Sequence, residues 1–133
     1  MLSHKYIILD RDGVINHDSP AYIKNPQEWR PIKRSLEAIS LLTKNSYRIL
    51  LLSNQAGVSR GIIKYENLIK IHNKFISSCL DHGGNIFSTY YCYDHPDTNS
   101  TRRKPQSGMY LEIADRLGIN LSDVFAIGDS PKD

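Results

Sequence analysis

Four short apolar runs, Tyr6 to Asp10, Tyr47 to Ser53, Ile86 to Cys92 and Val124 to Asp129, recur along the chain with amphipathic stretches between them. Strand-length runs that alternate with helical patterns fold as right-handed βαβ units, because parallel strands need a crossover long enough to hold a helix. The alternation therefore predicts an α/β fold with a mostly parallel sheet and helices on its faces. Between the first two runs, Leu36, Ile39, Leu41 and Leu42 follow helical spacing after Arg34 and Ser35. In the next interval Leu68, Ile69, His72, Phe75, Ile76, Cys79 and Leu80 fit one helical face, which Gly83 and Gly84 close. In the last, Met109, Leu111, Ile113, Ala114 and Leu117 precede Gly118.

Ligands of such sheets sit beyond the carboxyl ends of the strands, so the residues that follow each run carry the functional information. The first run ends in Asp10-Arg11-Asp12-Gly13-Val14-Ile15-Asn16. If the backbone stays extended through Arg11, both carboxylates leave the same face, which suits one metal ion and one phosphoryl group. Taken alone, Asp-x-Asp-Gly is also an ordinary turn. The second run enters Ser53-Asn54-Gln55-Ala56-Gly57, where a hydroxyl, two amides and a glycine can donate to phosphate oxygens without filling the pocket. Lys104 lies in Arg102-Arg103-Lys104-Pro105; a lysine there can neutralise phosphoryl charge, although basic triplets are more often solvated surface. The fourth run delivers Asp129, a hard oxygen ligand of the kind Mg²⁺ prefers, followed by Asp133. Two long connections, Arg11 to Pro31 and Tyr93 to Ser107, fall at the same edge, and loops of that length tend to be functional or disordered.

Composition sets the outer limits. With 133 residues, 40% apolar and 23% charged, residues 1–133 are expected to form a single domain with one core. The net charge of +3 is scattered apart from the Arg102–Lys104 triplet, and no groove of interleaved aromatic and basic residues is evident, so nucleic acid is not an expected partner. Two cysteines, Cys79 and Cys92, form no CxxC pair and fit a reducing compartment. No run approaches the roughly 20 apolar residues of a membrane span, and the start does not resemble a signal peptide, so a cytoplasmic protein without membrane contact is expected.

Four stations in the order Asp-x-Asp, Ser, Lys and Gly-Asp-x-x-x-Asp resemble those of haloacid dehalogenase superfamily phosphatases, in the branch that holds histidinol-phosphatases and polynucleotide 3′-phosphatases. Asp-Arg-Asp-Gly-Val-Ile-Asn, Ser-Asn-Gln-Ala-Gly-Val-Ser-Arg-Gly, Tyr-Tyr-Cys and Arg-Lys-Pro followed by Gly-Met are most similar to the heptose 1,7-bisphosphate phosphatase family, over nearly the whole chain. The resemblance implies a three-layer Rossmann-like core without a large cap domain. It implies Asp10 as nucleophile, Asp12 as acid and then base, and Mg²⁺ on Asp10, Asp129 and the Asp12 carbonyl. Ser53 and Lys104 would hold the transferring oxygens, with Asp133 in support of Lys104 or of a metal-bound water. Asn16, Asp18, Asn54, Gln55, Arg60 and Arg103 are the candidates for reading a phosphorylated sugar.

The chain departs from this pattern in two places. Relatives usually carry a zinc-stapled loop before the lysine motif, with Cys-x-His and Cys-x-Cys pairs; here Cys92-Tyr93-Asp94-His95 is followed by no further cysteine, so no zinc is expected. Relatives also continue past the position of Asp133 with another helix and strand; without them Val124 to Ile127 is expected at an unprotected sheet edge. A monomer is expected, with pairing of two copies along that edge as the alternative. The readings that compete with a heptose bisphosphate phosphatase are another phosphomonoesterase of the branch, acting on histidinol phosphate or a 3′-phosphorylated nucleic acid, and an inactive phosphate-binding remnant.

Overall fold

The computed structural model describes residues 4–133. Its elements follow the expected alternation: β1 (Lys5–Leu9), α1 (Ser35–Lys44), β2 (Tyr47–Asn54), α2 (Tyr65–Asp81), β3 (Ile86–Cys92), α3 (Gly108–Leu117) and β4 (Phe125–Ile127), with single 3₁₀ turns at Pro26–Glu28 and Leu121–Asp123. The strands form one parallel sheet in the order β3-β2-β1-β4. Ile49 to Leu52 of central β2 are fully enclosed, as a strand covered on both faces must be.

The two faces carry separate cores. Ile7, Leu9, Ile49 and Leu51 point toward α1 and α2, where Leu36, Ile39, Ile71, Phe75 and Cys79 meet them. Ile8, Leu50 and Leu52 point the other way, toward Met109 and Ile113 of α3. This is the three-layer α/β arrangement expected from the sequence, and among the described residues no element forms a cap over it.

Local details differ from the pattern reading for identifiable reasons. The buried stripe of α2 is Leu68, Ile71, Phe75 and Cys79, a narrower face than the one expected, and Ile69 and Leu80 lie exposed beside it. Leu41 and Leu111 likewise turn outward from α1 and α3. The last strand shrinks to three residues because only Phe125, Ala126 and Ile127 find partners, on Ile7, Ile8 and Leu9. It lies at the sheet edge, with Phe125 76% and Ile127 48% exposed.

The connection from Arg11 to Pro31 is no free loop. Ile15, Ile23 and Trp29 insert into the α1/α2 core, and Lys74 of α2 donates to the carbonyls of Pro26 and Trp29 at 2.6 and 2.9 Å. Among the described residues, no helix is long and apolar enough to cross a membrane.

Candidate active site

The parallel register brings the strand ends together around a cavity of about 330 Å³. Asp10 stands one residue past β1, and its backbone N–H donates to Ile127 of β4 at 3.0 Å, which ties the first and last strands at this edge. Carboxylate oxygens of Asp10, Asp129 and Asp133 all lie within 4.8 Å of one another. Burial pushes the Asp10 carboxyl up to about 7; the Lys104 ammonium opposes this, while Asp133 and Asp12 add to it. Lys104 is almost wholly enclosed, with Nζ 2.5 Å from Asp133 Oδ1 and 3.6 Å from Asp10 Oδ1.

This cluster fits a divalent cation of the magnesium type. The donors are three hard carboxylate oxygens gathered within 4.8 Å, and the Asp10 carboxyl, which burial pushes up to about 7, gains its charged form most readily beside a further positive charge. Gly13 supplies the room: its φ is +84°, and a Cβ there would overlap the Asp129 carboxylate.

Asp12 lines the same cavity but does not join the acid cluster. The backbone bends at Arg11 instead of running straight, and the Arg11 side chain turns inward to full burial. Arg11 then grips its neighbour with Nε 2.8 Å from Asp12 Oδ1 and Nη2 3.2 Å from Oδ2. Asn16 Nδ2 donates to Oδ1 at 3.0 Å and Gln55 Nε2 to Oδ2 at 3.1 Å. Burial alone would raise the Asp12 carboxyl, but the Arg11 charge and these hydrogen bonds together hold it below the usual carboxylate value. Each of its oxygens accepts from Arg11 and from one amide.

Ser53 is buried, and its Oγ accepts from Gln55 Nε2 at 2.8 Å, so one amide ties the hydroxyl to Asp12. Asn54 pairs with the Lys104 backbone in both directions, Nδ2 to O and N to Oδ1, each 3.0 Å. Asp18 and Arg103 line the cavity, and Arg103 keeps one buried guanidinium nitrogen without a partner. Arg60 lies exposed and away from the cavity lining.

Sequence reasoning overlooked several residues that organise the site. Arg11 sits between two acids, and a basic residue there signals a pairing partner for one of them. Its guanidinium lies 5.7 Å from the Tyr91 ring centroid, and the Tyr91 hydroxyl is 2.9 Å from His72 Nδ1. Ser100 bears hydrogen bonds throughout the loop ahead of Lys104, which no local pattern announces.

Comparison with known proteins agrees with this geometry. Residues 5–132 match the family described as polynucleotide kinase 3 phosphatase. The chain is 42% identical over 129 residues to the D-glycero-β-D-manno-heptose-1,7-bisphosphate 7-phosphatase of Bordetella bronchiseptica, covering 97% of this chain and 72% of the relative. It is 40% identical to the Pseudomonas putida enzyme of the same name, covering 97% and 74%. The crystal structure of the B. bronchiseptica D,D-heptose 1,7-bisphosphate phosphatase complexed with magnesium and phosphate superposes with a TM-score of 0.94 at 41% identity, over 96% of this chain and 72% of that one. With stations, topology and relatives in agreement, the chain belongs to the polynucleotide kinase 3 phosphatase family of the haloacid dehalogenase superfamily, alongside the heptose-1,7-bisphosphate 7-phosphatases.

Proposed function

We propose that this chain is a Mg²⁺-dependent phosphomonoesterase that removes the 7-phosphate of D-glycero-D-manno-heptose 1,7-bisphosphate. The observation that carries the reading is the convergence of Asp10, Asp129 and Asp133 within 4.8 Å, with the enclosed Lys104 ammonium paired to Asp10 and Asp133, because a nucleophilic carboxylate must meet a dianionic phosphate without prohibitive repulsion. Support for the substrate comes from the relatives, named for that bisphosphate at 36 to 42% identity.

In this reading an Asp10 oxygen bonds to phosphorus as the bond from phosphorus to the sugar oxygen breaks, leaving an aspartyl-phosphate. Asp12 gives its proton to the departing alkoxide, then takes one from the water that attacks phosphorus, and orthophosphate leaves as Asp10 is regenerated. Arg11 favours the ionised Asp12 that the second half requires. The proton for the first half is favoured by the dianionic phosphate itself, since a nearby negative charge raises a carboxyl pKa. Ser53 donates to one phosphoryl oxygen and Lys104 neutralises another. Asp10, Asp129 and the Asp12 carbonyl would hold Mg²⁺, with Asp133 beside them. When bound, the ion offsets the charge of nucleophile and phosphate together.

Asp18 and Arg103 face the cavity from the loops and are the residues we assign to the sugar; Asn16 and Gln55 serve it indirectly by holding Asp12. Zinc has no part in this reading: Ser100, not a second thiolate, stands 4.0 Å from the Cys92 sulfur. Elemental analysis with one zinc per chain would overturn that. We place the enzyme in the cytoplasm, where it would supply heptose for lipopolysaccharide or surface polysaccharide, working as a monomer.

The test is phosphate release in Mg²⁺ from heptose 1,7-bisphosphate, histidinol phosphate and a DNA 3′-phosphate. Turnover is expected to be highest on the heptose. A preference for either of the others reassigns the substrate, and no release from any of them supports the phosphate-binding reading.

A further inference from the structure

Three consecutive backbone N–H groups, the last of them that of Lys104, are captured by two side chains. Ser100 Oγ accepts from Arg102 N at 3.2 Å and Arg103 N at 3.1 Å, and donates its own hydrogen to Asp94 Oδ2 at 2.5 Å. A hydroxyl has one donor and two acceptor sites, so all of its capacity is spent. Asn54 Oδ1 accepts from the next N–H, that of Lys104, and Asn54 Nδ2 returns a bond to the Lys104 carbonyl. The segment lies outside any helix or strand, and without these partners its donors would have no ladder to enter.

We propose that Asn54 and Ser100 are positioning residues that fix Lys104 relative to Ser53, and that Asn54 does not read the sugar. This rests on the phosphatase reading above. Asn54 is the last residue of β2 and directly follows Ser53. Its two bonds to the Lys104 backbone therefore tie the residue that carries the ammonium to the strand end that carries the hydroxyl. Ser100 completes the tie from the other side by fixing the two residues that lead into Lys104. Misplacing an ammonium by about 1 Å in such a site can cost up to ~10²-fold in rate, so a small amide and a hydroxyl can control turnover without touching substrate.

The test compares Asn54→Ala, Ser100→Ala and Ser100→Thr on 4-nitrophenyl phosphate and on heptose 1,7-bisphosphate in Mg²⁺. Both alanine variants are expected to lower kcat about ten- to a hundredfold on both substrates, with KM for the heptose changing less than about threefold. Ser100→Thr, which keeps the oxygen, is expected to stay within about threefold of the unchanged protein. In a Lys104→Met background, Asn54→Ala is expected to cost less than about twofold more, because residues acting through one another are not additive. Loss confined to the heptose substrate would make Asn54 a sugar contact and overturn the proposal, as would full additivity with Lys104→Met. If the unchanged protein turns over the aryl phosphate but not the heptose, the substrate reading fails and the aryl phosphate series still decides this one. Orthophosphate binding by calorimetry reads the same variants without turnover: affinity within about threefold of the unchanged protein is expected, in step with the small change in KM, and loss of binding in either alanine variant would make that residue a phosphate ligand and overturn the proposal.

Discussion

Arg11 and Asp12, adjacent in sequence, face one another through a two-pronged ion pair of 2.8 and 3.2 Å, with the guanidinium withdrawn completely from solvent. A cation so enclosed is tolerable only while its partner is in place, because removing one member of a buried pair leaves the other uncompensated. Arg11→Leu is therefore expected to destabilise the protein by about 3–5 kcal/mol in urea unfolding. Arg11→Lys keeps the charge but not the fork, and should fall between the two. Equal midpoints for Arg11→Leu and the unchanged chain would show that the pair contributes nothing.

Asp10 gives a pH dependence whose sign is fixed by the direction of its shift. Its carboxyl is raised from 3.8 to about 7, chiefly by burial, so the folded state without a cation holds a proton that the unfolded chain releases. The stability this supplies is fully present below pH 3.8 and is lost as pH rises through about 7. Mg²⁺ must displace the same proton, so its thermal stabilisation is expected to be larger at pH 8 than at pH 5.5. Scanning calorimetry with and without Mg²⁺ reads this directly, and Asp10→Asn should flatten the difference while reducing phosphate release by at least ~10³-fold.

Gly13→Ala tests the space beside Asp129. The left-handed backbone alone should cost about 1–2 kcal/mol, and the added carbon must displace the Asp129 carboxylate. We expect a modest fall in melting temperature and a disproportionate rise in the Mg²⁺ concentration needed for half-maximal turnover. A variant with unchanged Mg²⁺ dependence would separate Asp129 from the cation.

Trp29→Ala tests whether the segment between β1 and α1 is built into the core. Trp29 is buried beside Phe75, at a centroid separation of 5.9 Å, and removing such a ring should cost about 3–5 kcal/mol. Hydrogen exchange should then quicken at His17 and Ile32, whose N–H groups are bonded to Arg30 and Ile15 within that segment.

The α/β class, the order of elements and the four stations were legible in the sequence because each rests on a local signal: apolar runs, helical spacing and the polar residue that ends a strand. Asp10 and Asp129 meet because the parallel pairing of β1 with β4 makes their convergence a property of topology. What could not be seen was how the space between stations is filled. Asn16, Gln55 and Asn54 were candidates for reading a phosphorylated sugar, yet two are buried and all three hold other residues of the site. Arg11 looked like a spacer because its burial depends on a backbone bend that the Asp-x-Asp pattern does not encode. Trp29 sits in the long Arg11 to Pro31 connection with no local sign of burial, because its cover comes from α2, far away in sequence.

The brevity of β4 has a consequence for how the pocket is finished. Only three residue pairs join it to β1, and its own side chains are exposed, so apolar packing does little to hold the acids that follow it. What draws Asp133 inward is the Lys104 ammonium, met at 2.5 Å. Closing the sheet edge and balancing the charge at its tip are thus one cooperative event, and occupancy of the pocket should be read out far from the phosphate, as slower amide exchange along Phe125 to Ile127.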